Sequence, residues 1–372
     1  MKQLDREKLI KNIDGVAEYD FAENKVFGSA YLIWQDGEVY EKCYGKVGLT
    51  SETPVSPSTL FRLASMTKPI TAVATLILVE RGLLSLDDGV DLYLPEFRSI
   101  QIKEISGKAY APEKMPTIKN ILTHTSGIGS RLDKLAAMPR EDRLTLDSAI
   151  AYYIENGLDF EPGSMQMYSG TAAFDVLTKI IEKVTGTDYL AFLEKEIFVP
   201  CGMVDTTFIP TAEQQARMIE MHTKRDGENS VFAMPAGCVF EDVPYAHYLG
   251  GAGLVSTLHD YGNFAKMLLN RGKTPNGRIL QDSTFDLMCT PQVAREIMPG
   301  NERWGLGVRV IAEDAYPYLP RETFGWSGAY GSHFWIDPSN KIFAVFLKNS
   351  KFDGGAANES ARNFERAVYS SF

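Results

Sequence analysis

The order of strand-like and helix-like segments constrains the fold of this chain more than any other feature. Strand-like stretches occur near both ends, at residues 26–34, 39–44, 304–311, 332–337 and 342–347. Helical spacing of apolar residues occurs at residues 5–21, 65–81, 188–196, 258–269 and 359–369, and in a segment that begins after Tyr168 and ends near residue 186. Strands at both ends and helices between them predict an α+β fold, in which both termini build one antiparallel sheet flanked by helices.

The helical middle of the chain predicts an inserted domain. We assign residues 1–90 and 260–372 to the sheet domain and residues 91–259 to a mainly helical insertion. Residues 210–250 show no clear period, so we expect an irregular lobe there. Asp36-Gly37, between two strand-like stretches, predicts a tight hairpin turn.

The composition excludes some partners and locations. The net charge of −10 and the pI near 5.2 argue against nucleic acid and anionic membranes as partners. No run of apolar residues has the length of a signal peptide or a membrane span. Four scattered cysteines lack metal-binding spacing and favour reduced thiols. We therefore expect a cytoplasmic protein, with an exported form as the alternative; the sequence leaves its oligomeric state open.

The strongest local motif is Ser65-Met66-Thr67-Lys68-Pro69, at the start of an apolar helical segment. Residues three apart on a helix lie on the same face, so Lys68 can reach the Ser65 hydroxyl and remove its proton. Pro69 fits only in the first helical turn, which places Ser65 at or near the helix N-terminus. There, free backbone N–H groups can stabilise an oxyanion. Taken alone, the motif is more typical of a capping serine beside a surface lysine than of a catalytic pair.

A wider set of motifs in the same order resembles the serine β-lactamase and penicillin-binding-protein superfamily. After Phe61-Arg62-Leu63-Ala64-Ser65-Met66-Thr67-Lys68 come Leu122-Thr123-His124-Thr125-Ser126-Gly127, Tyr168-Ser169-Gly170, Gly250-Gly251-Ala252-Gly253 and Gly325-Trp326-Ser327-Gly328-Ala329. The resemblance covers roughly residues 25–350 and is strongest to class C β-lactamases and the related family VIII carboxylesterases. It implies the β-lactamase/transpeptidase-like fold and no cofactor.

The resemblance also implies roles for individual residues. Ser65 would be the nucleophile, with Lys68 and Tyr168 moving the proton. The backbone amides of Ser65 and Ala329 would hold the oxyanion. Trp326, Ser327 and Gly328 would line the substrate site.

Two departures from the class C pattern favour neutral esters over β-lactams. Gly170 stands where that family has asparagine, and Trp326-Ser327-Gly328 stands where it has Lys-Thr-Gly. A β-lactam carboxylate would therefore lose its cation, and buried anions without partners are costly.

Other motifs predict less. Gly325-Trp326-Ser327-Gly328-Ala329 resembles a nucleophile elbow, but an α/β-hydrolase needs an acid and then a histidine downstream. The five histidines lack metal-ligand spacing, so we expect no metal site; His124 is expected to be structural and the others to lie on the surface or in loops.

We therefore predict a serine acyl hydrolase that acts on small esters through an acyl-enzyme. The alternatives are a β-lactamase or D-amino-acid peptidase, and a catalytically silent binding protein on the same fold. Trp326 in place of a cation argues against the first alternative, and the retention of Ser65, Lys68 and Tyr168 argues against the second.

Overall fold

A computed structural model describes residues 2–129, 145–234, 247–313 and 318–372 of the chain. The α-helices of these residues are α1 (Arg6–Ala22), α2 (Lys68–Glu80), α3 (Val90–Tyr93), α4 (Ile118–Leu122), α5 (Leu146–Asn156), α6 (Ala172–Thr185), α7 (Tyr189–Leu193), α8 (Val199–Cys201), α9 (Ala212–Ala216), α10 (Leu258–Leu269), α11 (Asp282–Cys289) and α12 (Glu359–Tyr369). Two 3₁₀ turns span Ala64–Thr67 and Pro95–Ser99, and a π-helical turn spans Glu194–Phe198. Within these ranges no helix has both the length and the apolar character needed to cross a membrane.

The strands of the described residues are β1 (Gly28–Gln35), β2 (Glu38–Gly45), β3 (Phe61–Arg62), β4 (Ile102–Lys103), β5 (Ala109–Tyr110), β6 (His222–Arg225), β7 (Glu228–Val231), β8 (Val255–Ser256), β9 (Lys273–Thr274), β10 (Gly277–Arg278), β11 (Glu302–Trp304), β12 (Arg309–Ile311), β13 (Phe324–Ser327), β14 (His333–Asp337) and β15 (Ile342–Leu347). Seven of them form an antiparallel sheet in the order β11-β12-β13-β14-β15-β1-β2. The first strand pairs with the last, from Ala30 opposite Leu347 to Gln35 opposite Ile342. Both ends of the chain therefore build one sheet, which confirms the predicted α+β class.

The sheet is covered on both faces, and alternate residues of each strand enter different cores. Phe324 and Trp326 of β13 belong to a large core that also contains residues of α2, α6 and α10. On the opposite face, Trp335 of β14 packs in a second core with residues of α1 and α12. This alternation decides which side chains of β13 can face a site on the helical side.

The first hairpin has the predicted turn. Asp36 and Gly37 both have positive φ, 48° and 98°, and Gln35 lies opposite Glu38. This left-handed pair matches the twist of the flanking strands, which is why Asp-Gly is favoured there. The larger core contains residues from each of the predicted domain ranges 1–90, 91–259 and 260–372. The domain boundaries at these positions remain a prediction.

Three predictions of local structure were wrong. Residues 304–311 are two strands, β11 and β12, because the chain reverses at Gly305–Gly307. Residues 324–327 form β13, which the prediction had left outside any strand. The expected irregular lobe contains the β6–β7 hairpin, whose Asp226-Gly227 turn repeats the backbone pattern of Asp36-Gly37. Residues 235–246 of the predicted lobe lie outside the described residues.

Candidate active site

Ser65 lies in a 3₁₀ turn that leads directly into α2. The preceding residue, Ala64, is buried and has a left-handed φ of 46°. That conformation costs an alanine about 1 kcal/mol or more, so the surrounding core must hold it in place. The turn places Ser65 just before the first turn of α2, where Pro69 stands as predicted. The Ser65 side chain is largely buried, with 8% of the residue exposed.

Lys68 is fully buried and points its ammonium at Ser65. Its Nζ donates to Ser65 Oγ at 3.3 Å, to the Gly170 carbonyl at 2.5 Å and to the Gly251 carbonyl at 2.8 Å. A lysine ammonium has three N–H donors, so these three acceptors satisfy it completely. Within the described ranges, Lys68 forms no ion pair with a carboxylate. The Ser65 hydroxyl is therefore the only one of its three partners that can exchange a proton with it.

Gly170 and the 250–253 glycine run serve this lysine through their backbones. Gly170 has no side chain to offer a substrate, but its carbonyl is the closest of the three acceptors of Lys68. The neighbouring Gly250 carbonyl accepts from Thr71 Oγ1 at 2.5 Å, which ties the glycine run to α2. The run thus packs beside the site.

Tyr168 lies at the mouth of the site and is 37% exposed. The Lys68 Nζ is 4.9 Å from the centre of its ring. Trp326 Nε1 donates a hydrogen bond to the Tyr168 hydroxyl oxygen at 3.2 Å. An N–H donor at this oxygen stabilises negative charge that develops on it during a reaction, so Trp326 orients the phenol and also forms one wall of the site.

Two further aromatic residues, which the sequence analysis did not assign to the site, complete this wall. Trp304 lies edge-on to Trp326 at 4.5 Å and stacks on Tyr168 at 6.0 Å between ring centres. His124 lies 4.5 Å from Tyr168 and 4.4 Å from Trp304. From the sequence, His124 was expected to be structural. Trp304 stands in a segment that was predicted as one continuous strand, and it carried no separate signal.

The turn after β13 carries Gly328 and Ala329 against the Ser65 turn. A Cβ at Gly328 would lie 2.4 Å from the Leu63 carbonyl oxygen, so only glycine allows this approach. The Gly328 N–H donates to Ser332 O at 2.7 Å, and the Gly355 N–H donates to Ala329 O at 3.0 Å. The Ala329 peptide is therefore fixed beside the segment that carries Ser65.

Ser327 is placed differently from what the sequence analysis expected. Its hydroxyl is 2.8 Å from His333 Nδ1, and His333 Nε2 is 2.9 Å from Glu365 Oε1, with all three residues buried. Because β13 alternates its side chains, Ser327 faces α12 while Trp326 faces Tyr168. The Ser327 side chain therefore serves the packing of α12, and only its backbone remains near the site.

The expectation that His222 and His333 lie on the surface or in loops was wrong, because both are buried and belong to strands β6 and β14. Burial lowers the pKa of His333 despite its contact with Glu365. Although burial alone would raise it, the contacts with His333, Arg309 and Arg362 lower the pKa of Glu365 to about 2. Glu365 is thus ionised and accepts from His333 Nε2–H, while Nδ1 accepts from Ser327.

A cavity of about 560 Å³ lies elsewhere, between β12–β14 and helices α10 and α11. Its lining includes Trp34, Phe285 and Phe324 but none of the predicted site residues, so its volume is not that of the Ser65 site. Among the described residues, no group of three or more His, Cys, Asp or Glu side chains is arranged to hold a metal ion.

The chain is similar to known esterases and hydrolases over most of its length. The chain is 29% identical to the esterase EstB of Burkholderia gladioli over 94% of this chain and 93% of that one. It is 25% identical to the lovastatin esterase of Penicillium rubens, over 89% and 90% of the two chains. The solved structure of EstCE1, described as a hydrolase with promiscuous acyltransferase activity, superposes with a TM-score of 0.83 at 26% identity and covers 98% of this chain and 99% of that one.

The family model for Beta-lactamase matches residues 8–367, nearly the whole chain. The chain therefore belongs to the beta-lactamase family, as a serine hydrolase of that family.

Proposed function

We propose that this protein hydrolyses small neutral carboxylic esters through an acyl-enzyme on Ser65. The observation that carries the proposal is the buried contact between Lys68 Nζ and Ser65 Oγ, with Tyr168 held beside it by Trp326. A serine hydroxyl becomes a useful nucleophile only when a positioned base takes its proton. The names of EstB and lovastatin esterase, both similar over most of this chain, support the ester as substrate class.

The proposed reaction has two halves. Ser65 Oγ bonds to the ester carbonyl carbon, and its proton passes to the deprotonated phenol oxygen of the Tyr168–Lys68 pair, in which Lys68 stays an ammonium that donates to Ser65 Oγ. The amides of Ser65 and Ala329 hold the oxyanion. The bond to the alkoxide then breaks, and the same pair returns the proton to the departing alcohol. Water attacks the acyl-enzyme by the reverse proton route and releases the acid, so one ester and one water give one acid and one alcohol.

The surroundings of Trp326 favour an ester over a β-lactam. Its indole N–H is already bonded to Tyr168, and the Ser327 hydroxyl faces away, so neither side chain is available to a substrate carboxylate. Arg303 is tied to the Gly300 and Glu302 carbonyls and pairs with Glu313 at 3.6 Å. Arg321 lines the separate cavity. Neither arginine therefore supplies a cation in place of the lysine that Trp326 replaces. A β-lactam carboxylate that is desolvated without a cation loses roughly several kcal/mol of solvation free energy.

A silent binding protein is the less favoured alternative. A fully buried lysine costs stability unless it is satisfied, and here one of its three partners is the Ser65 hydroxyl. Binding alone gives no physical reason to retain this arrangement together with the Trp326–Tyr168 contact.

The proposal also includes a cytoplasmic location, which rests on the acidic composition and on Cys43, Cys201 and Cys289 being free thiols. Cys238 lies outside the described residues. Fractionation of the host cell tests this part.

The substrate class is tested by comparing kcat/KM for p-nitrophenyl acetate and butyrate with kcat/KM for nitrocefin on the same preparation. We expect a clear preference for the esters, and no ester turnover by Ser65→Ala. A clear preference for nitrocefin would contradict the proposal and favour the β-lactamase alternative. Stoichiometric binding of the ester without turnover would favour the silent binding protein.

A further inference from the structure

His124 occupies an unusual backbone position behind Tyr168. It follows α4, is 1% exposed and has a left-handed φ of 56°. Its N–H donates to Ile121 O at 3.1 Å, and the next N–H, of Thr125, donates to Asn120 O at 2.8 Å. The end of α4 thus fixes the backbone of His124. Left-handed φ at a non-glycine residue is sparsely populated and needs support from its surroundings.

Two polar atoms of His124 accept hydrogen bonds from the residues directly before and after Tyr168. The Met167 N–H donates to the His124 carbonyl at 2.9 Å, and the Ser169 N–H donates to His124 Nδ1 at 3.2 Å. The imidazole also lies 4.5 Å from the Tyr168 ring. One histidine therefore contacts three consecutive residues, with Tyr168 in the middle.

The segment that carries Tyr168, residues 165–168, has little burial of its own to hold it in place. Met165, Met167 and Tyr168 are between 37% and 49% exposed. The downstream side is anchored at Ser169, whose Oγ accepts from Ala173 N–H at the start of α6. The hydrogen bonds that His124 accepts are therefore positioned to fix the backbone that sets the orientation of the Tyr168 side chain.

The imidazole must be neutral to make these contacts. Nδ1 accepts from Ser169, so the ring proton is on Nε2. Burial, followed by the charge of Lys68, lowers the pKa of His124 well below its ordinary value, which keeps Nδ1 free to accept. His124 Nε2 has no hydrogen-bond partner among the described residues and faces an aromatic environment that includes Phe174 and Trp304. A fold that only needed a space-filling ring could use phenylalanine here without an orphaned N–H.

We propose that neutral His124 is a positioning residue that fixes Tyr168 for proton transfer at Ser65. The inference rests on the proposed function, because it assigns Tyr168 a part in the reaction. His124 does not touch the reacting atoms; it acts through the backbone on both sides of Tyr168.

The test uses three substitutions chosen by where they place an acceptor. Asparagine has its amide oxygen on Cγ, as Nδ1 is, and tolerates left-handed φ. Glutamine places its amide one atom further out, and phenylalanine keeps a ring without an acceptor. We expect His124→Phe to lower kcat for p-nitrophenyl butyrate by about 10- to 100-fold with little change in KM, the scale of a misplaced catalytic group. His124→Asn should retain most of the wild-type kcat, and His124→Gln should fall between them.

A double-mutant cycle separates positioning from general stability. In a Tyr168→Phe background, His124→Phe should cause little further loss, because its effect passes through the phenol. Losses that multiply, or equal activity of the Asn, Gln and Phe variants, would overturn the proposal. Wild-type kcat in Tyr168→Phe alone would instead refute the proposed role of Tyr168, and this inference with it. Thermal unfolding of each variant identifies any that fails to fold; the Asn–Gln comparison then carries the test.

Discussion

Replacing Trp326 with phenylalanine removes the indole N–H that donates to the Tyr168 oxygen but keeps an aromatic ring. A hydrogen bond to a charged group contributes roughly 1.5–3 kcal/mol. This one is long, at 3.2 Å, and Tyr168 is 37% exposed, so water can replace part of it. We therefore take about 1–2 kcal/mol, which corresponds to a loss of about 5- to 30-fold in kcat.

Trp304→Phe is the matched control. Trp304 belongs to the same aromatic cluster and is also buried, but its Nε1 has no hydrogen-bond partner among the described residues. Its replacement removes similar volume without removing a donor from Tyr168, so its effect on kcat should be smaller.

The assay is kcat for p-nitrophenyl butyrate, measured for both variants with and without Tyr168→Phe. The loss from Trp326→Phe should largely disappear in the Tyr168→Phe background. Equal losses for the two tryptophans, or a Trp326→Phe loss that persists without the phenol oxygen, would refute the reasoning.

The remaining predictions concern the other assigned residues. Lys68→Ala and Tyr168→Phe should each lower kcat by about 100-fold or more, the scale of positioned acid–base catalysis; a change within a few-fold would remove that residue from the mechanism. Ser327→Ala should lower the free energy of unfolding by about 1–3 kcal/mol, because it leaves His333 Nδ1 unpaired, and kcat/KM should stay near the wild-type value. A loss of activity without a loss of stability would instead support the original prediction that Ser327 contacts the substrate. The pKa of Glu365 is about 2, below its ordinary 4.5, so its stabilisation is present above pH 4.5 and is lost as the pH falls towards 2, by roughly 3 kcal/mol. The pKa of His333 is also lowered, so the free energy of unfolding should begin to fall as the pH drops below the ordinary histidine value of 6.5. A free energy of unfolding, measured with urea, that stays constant between pH 7 and pH 3 would contradict the expectations for Glu365 and His333.

The fold could be predicted largely because its signals are local. Helical spacing located α1, α10 and α12 to within about a residue, and Asp36-Gly37 located the first hairpin. The same Asp-Gly signal at residues 226–227 was missed because its flanking strands, β6 and β7, are polar and half-exposed. The strand at 324–327 was missed because four residues are too few to show alternation.

The candidate site was predictable where backbone spacing fixes it, and not where the tertiary fold decides. Ser65 and Lys68 meet because they are three residues apart in a helical turn. Trp326 could be named, but its bond to Tyr168 joins residues 158 positions apart. Ser327 was misplaced because the side that each residue of β13 faces depends on strand register. The role proposed for His124 needs contacts to Met167 and Ser169 that no local pattern predicts.

The central claim, an acyl-enzyme on Ser65, is tested most directly by covalent labelling. The protein is incubated with a p-nitrophenyl alkylphosphonate, which leaves a stable adduct on an activated serine, and then digested with trypsin. Because trypsin does not cleave before proline, Lys68-Pro69 stays intact and Ser65 falls in the peptide Leu63–Arg81, where it is the only serine. We predict one equivalent of phosphonate in this peptide, release of one equivalent of p-nitrophenol, and no adduct in Ser65→Ala. Stoichiometric labelling of another residue, or ester hydrolysis that survives full modification of Ser65, would contradict the account.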